Sequence, residues 1–138
     1  MSCLRAAALA AFLALPAPLA AQEILASYGA YIGLDDLYNS DGARLTEPWQ
    51  VLRQERANYH RFGIRQAGDE WDPLFASIDN RAAFEQMMRA GVITDQARRD
   101  ILAGGAMIYV TVWRTPSGAT RANVDVWRDG LGQKECGC

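Results

Sequence analysis

The chain of 138 residues has one histidine (His60), one lysine (Lys134) and three cysteines. One histidine excludes a multi-histidine metal centre, and any serine–histidine–acid arrangement would have to use His60. No HExxH, CxxC, glycine-rich phosphate loop or nucleophile elbow occurs, so neither a metal nor a cofactor is expected. With so little lysine and a formal net charge of −2, no basic stripe exists on which a nucleic acid would dock. Only one long apolar run is present, at the N-terminus, and it falls short of the roughly 20 residues needed to cross a bilayer.

That run reads as a cleaved secretory signal over residues 1–21. Arg5 supplies the positive start, Ala6 to Leu15 the apolar segment, and Pro16 and Pro18 break it ahead of the small residues Ala20 and Ala21. The expectation is a periplasmic or secreted protein with no stable membrane anchor after cleavage. Removing these residues takes away one arginine and no acid, which moves the net charge from −2 to −3.

Residues 22–130 read as one globular domain, and 131–138 as a flexible tail ending in Cys136-Gly137-Cys138. An oxidising compartment permits a bridge between these two thiols. A loop that short removes little chain entropy, so the pair reads as an inert or locally bridged tail, as redox-active thiols, or as a partial metal contact.

Glu23 to Gly33 is apolar and rich in Tyr and Ile, as a strand requires, and Asn39-Ser40-Asp41-Gly42 is a turn. This turn fits the calcium-loop template in part, but Leu37 and Pro48 stand where ligating acids are required. Thr46-Glu47-Pro48 predicts a helix start capped by Thr46, with the helix running to Phe62 and Gly63 as its stop. Asp79 or Asn80 is expected to cap a second helix ending at Gly91, and Thr94 a third over 95–103. Met107 to Arg114 and Thr120 to Trp127 predict a hairpin, with Trp113 and Trp127 as a cross-strand pair. Together these predict an α+β fold in which a small antiparallel sheet, made of the N-terminal strand and the C-terminal hairpin, packs against three or four helices.

The helix over 47–62 holds the candidate chemistry. At 100° per residue, Val51, Phe62, Tyr59, Leu52 and Trp49 span an arc of about 160°, wide enough for burial on two sides. Glu55 falls inside that arc, where a carboxylate must find a partner or change its protonation. Arg56, His60 and Arg53 fall at its edge beside Trp49, and two cations next to His60 are expected to keep it neutral. Asp69, Glu70 and Asp72 can fold back onto those cations. One reading makes Glu55 and His60 proton-transfer groups, with Arg53 or Arg56 as an anion clamp. The other makes Glu55 half of a buried ion pair. Trp71, in the acidic loop, is either a stacking platform for a ligand or a cover over the core.

The function expected from these features is non-catalytic binding of an envelope protein or a small polar ligand through Trp49, Arg53, Arg56 and Trp71. The alternatives are a small hydrolase using Glu55 and His60, and thiol redox or metal handling through Cys136 and Cys138.

Overall fold

Alternation of apolar and polar residues carries three segments into strands, because successive side chains of a strand point to opposite faces. In the computed structural model, which describes residues 21–127, these are β1 (Glu23–Ile32), β2 (Ala106–Arg114) and β3 (Thr120–Val126). They form one antiparallel sheet in the order β1-β2-β3, with Tyr28 opposite Val110 and Val110 opposite Val124. The N-terminal strand therefore joins the C-terminal hairpin, giving the α+β arrangement that the sequence predicts. Ala26, Tyr28, Ala30, Ile32, Ile108, Val110, Val112, Ala122 and Val124 all face the core.

Helices α1 (Pro48–Ala57), α2 (Ile78–Ala82), α3 (Phe84–Ala90) and α4 (Asp95–Ala103) complete the fold. Val51 and Leu52 of α1, Phe84 and Met87 of α3, and Ala97 and Ile101 of α4 are buried in the same cluster as the inner sheet face. As expected, the Thr94 hydroxyl accepts the Ala97 N–H and starts α4, and Gly63, at φ +69°, ends the first helical segment.

Other local expectations are corrected. Glu47, not Thr46, precedes the first turn of α1, and the Gln50 side chain accepts both their backbone N–H groups. Ser77, not Asp79 or Asn80, caps α2, and Ala83 divides the expected second helix in two. After Ala57 the helix widens into a π-turn over Asn58–Phe62. Trp127 meets Tyr109 rather than Trp113, with ring centroids 5.3 Å apart. In the paired strands Trp113 lies opposite Arg121.

Each outer edge of the sheet is covered over part of its length, which reduces the unpaired backbone that would otherwise template association. Along β1, Glu70 accepts the Gly29 N–H at 2.6 Å and Asp69 accepts that of Tyr31 at 2.8 Å. Along β3, Val124 donates to Val92 and accepts from Thr94. Gly91 leads into this second contact, and a Cβ at that position would lie 1.9 Å from the Ala122 carbonyl oxygen. Gly91→Ala is therefore expected to cost about 2–3 kcal/mol in urea unfolding, since rigid backbone must shift. Gly118→Ala, at φ +87° but in open space, is expected to cost roughly 1 kcal/mol. Equal costs for the two would contradict this account of the α3–β3 packing.

Candidate functional site

Arg56 is fully buried, and its guanidinium sets the arrangement around it. It donates from Nε and Nη2 to the two oxygens of Glu55, and from Nη1 to Asp72 Oδ2 at 2.9 Å and to the Glu70 carbonyl at 3.0 Å. The guanidinium also lies 4.1 Å from the ring centroid of Tyr28 and 4.6 Å from that of Tyr59. Adjacent residues on an α-helix do not normally face each other. Glu55 and Arg56 meet because both long side chains turn into the same interior, where an unpaired charge would be very costly.

His60 Nε2 lies 2.8 Å from Asp72 Oδ2. The other Asp72 oxygen accepts the N–H groups of Leu74 and Phe75. Of the three loop acids expected to fold back, Asp72 therefore reaches the cations, while Asp69 and Glu70 take the β1 edge.

Two carboxylates share one guanidinium, and their surroundings separate them. Burial pushes Glu55 up from the ordinary 4.5 to about 7, more than its bonds to Arg56 pull it down. Burial acts the same way on Asp72, but the bonds from His60, Phe75 and Arg56 prevail and hold it below the usual carboxylate value. A carboxyl titrating near neutrality suits general acid or base work. Glu55, however, is 1% exposed and its hydrogen bonds go to Arg56 alone. Glu55 and His60 do not touch directly; Arg56 and Asp72 stand between them.

The remaining candidates lie apart from this cluster. Trp49 is half-buried against the core, and Arg53 is exposed. Trp71 is 64% exposed, so it does not cover the core. Cys136 and Cys138 lie outside the described residues. Among the described residues no group of three His, Cys, Asp or Glu side chains is disposed to hold a metal ion, and no helix is long and apolar enough to cross a membrane.

A second feature has almost no signature in the sequence. The 3-10 turn Leu34–Leu37, the loop after it and the π-turn enclose a cleft of about 480 Å³, lined by Leu34, Asp35, Tyr38, Asn39, Ser40, Gln54, Asn58, Phe62 and Ile64. Leu34 is 77% exposed, Phe62 50%, Tyr38 42% and Ile64 41%. Phe62 was expected inside the buried arc, and the π-turn explains its position. Each of its residues advances by less than the α-helical 100°, so the lag accumulates and Phe62 emerges on the cleft side. The same lag lets the consecutive residues Asn58, Tyr59 and His60 reach Asp36, Arg56 and Asp72.

The cleft floor is braced from beneath. Asn58 Nδ2 donates to Asp36 at 2.8 Å, Gln54 donates to Asn58 at 2.9 Å, and Asp36 accepts the Gly33 N–H at 2.8 Å. Burial raises the Asp36 pKa despite these bonds. The only sequence sign of the cleft is that Leu34 and Ile64 are apolar residues just after glycines, outside any periodic pattern. Compared with known proteins, the chain matches no family model, no curated protein and no solved structure.

The split between the carboxylates has a measurable consequence. A carboxyl whose pKa is higher in the fold than in the unfolded chain binds more protons when folded. Its stabilising contribution is complete below pH 4.5 and is lost as pH rises to about 7. Asp72 acts with the opposite sign, its contribution being in place above the ordinary value of 3.8 and lost as pH falls through its lowered pKa. Glu55→Gln is expected to flatten the decline in stability between pH 4.5 and about 7 in urea unfolding series, leaving only the part contributed by the raised carboxyl of Asp36. An unchanged slope in that variant would contradict the assignment.

Proposed function

We propose that this chain is an exported, non-catalytic binding domain that receives an apolar segment of another envelope protein in the cleft between the 3-10 turn and the π-turn. The observation that carries this reading is the convergence of Leu34, Tyr38, Phe62 and Ile64, all substantially exposed, on a single concavity. Covering such surface is favourable by about 25 cal/mol per Å², and soluble monomers rarely leave large contiguous apolar patches uncovered without a use for them. The Ser40 hydroxyl, the Asn39 amide nitrogen and the Gln54 amide oxygen, each in the lining, can bond a partner's backbone between the apolar walls. The apolar rim favours a protein segment over a small polar ligand. Glu55 and His60 contribute no atoms to the lining, which supports binding over the hydrolase alternative. Export rests on the signal-like organisation of residues 1–21.

Peptides selected from a random display library against the purified protein are expected to carry two large apolar residues. Their affinity should fall roughly tenfold on Phe62→Ser or Ile64→Ser, because apolar anchors dominate such interfaces. Both side chains are exposed, so the fold should tolerate these changes. No enrichment, or peptides indifferent to both substitutions, would overturn the assignment.

A further inference from the structure

Among the described residues, Asp35 is the one charged side chain that lines the cleft. The 3-10 turn decides which way it faces. Successive residues of such a turn point about a third of a circuit apart, and Asp36 is committed inward, fully buried, with bonds to Asn58 and to the Gly33 N–H. Asp35 is exposed and forms no ion pair among the described residues. Its main chain is nonetheless fixed, because the Asp35 carbonyl accepts from Asn58 Nδ2 at 3.4 Å. The residue therefore sits between Leu34 on one wall of the cleft and Asn58 on the other.

Left in water, this carboxylate needs no partner. Under a bound segment it does, because a chain laid across Leu34, Phe62 and Ile64 strips solvent from the acid set among them. An unpaired charge withdrawn from water is costly, and a cation placed against it offsets that cost. The protein's own neighbouring cations do not fill this role. Arg44 donates to the Leu102 carbonyl and lies 5.4 Å from the Tyr38 ring centroid, and Arg61 lies 5.0 Å from that of Phe62. Both stand outside the lining. They repel a second cation near Tyr38 or Phe62, which leaves Asp35 as the position that admits one.

We propose that the protein segment received in the cleft carries a lysine or arginine beside its apolar anchors, and that Asp35 selects it. Asp35 has this role only if the cleft receives such a segment, as proposed above. The apolar side chains then supply affinity through the surface they cover, and Asp35 supplies discrimination. A neutral segment leaves its carboxylate unpaired, and an acidic one sets like charges against each other. The net negative charge of the chain assists the approach of a basic segment. A second copy of this chain, with the same net charge, is a poorer occupant.

Peptides selected on the purified protein from a random display library are expected to be enriched in Lys and Arg, and depleted in Asp and Glu, next to their apolar residues. Asp35→Asn should weaken these peptides roughly fivefold, the scale of an ion pair near the surface, and the loss should shrink as salt is raised. Selection repeated on Asp35→Lys should yield acidic peptides instead. Asp35 is exposed, so both variants are expected to unfold at the wild-type urea concentration, which separates altered recognition from misfolding. Binders that respond to Phe62→Ser but lack basic residues, or ignore Asp35→Asn, overturn the selection by Asp35 and leave the binding cleft in place. A complete absence of binders overturns both. Self-association abolished by Phe62→Ser in sedimentation also overturns the proposal, since the occupant is then a second copy.

Discussion

The buried guanidinium of Arg56 is the constraint around which the rest is arranged. It sits in α1, its carboxylate partners come from α1 and from the loop before α2, and the aromatic rings against it come from β1 and the π-turn. A charge withdrawn from water tolerates few arrangements, because each N–H left unbonded adds a desolvation penalty. Satisfying Arg56 therefore fixes where the 69–75 loop runs relative to helix and sheet. That loop, once placed, also delivers Asp69 and Glu70 to the open edge of β1. One buried cation thus ties sheet, helix and loop together, while the apolar cluster supplies most of the burial.

The π-turn translates this interior requirement into a surface. Three consecutive residues have inward partners, and an α-helix advancing by 100° per residue cannot present all three to one side. Underwinding reconciles them, and its consequence is that Phe62 turns outward beside Leu34 and Ile64. π-turns within helices often coincide with functional sites, and here the link is mechanical: the geometry that satisfies Asp36, Arg56 and Asp72 is the geometry that opens the cleft wall.

The strands, the hairpin, the Thr94 cap and the Gly63 stop were legible in the sequence because each is a local pattern, a two-residue alternation or a residue type with one conformational use. Glu55 was also legible as a carboxylate in need of a partner, since its place on the helical wheel depends only on periodicity. Arg56 was harder. The wheel put it at the rim, whereas its place in the core depends on Asp72, sixteen residues away, and on Tyr28 in another element. Phe62 was misplaced because the wheel assumes α-helical pitch throughout. Ser77 is hard to single out as the cap because Asp79 and Asn80, both good capping residues, follow it closely. The cleft was not legible, as it joins segments distant in sequence and contains no recognisable spacing.

The central claim is that the fold depends on the paired state of Arg56, and urea unfolding of Arg56→Met near neutral pH tests it most directly. Methionine preserves much of the apolar bulk while leaving the two carboxylates without their cation. The account predicts a loss of about 3–5 kcal/mol, the usual consequence of breaking a buried ion pair on one side. A change within about 1 kcal/mol, the scale of an exposed ion pair, would contradict it.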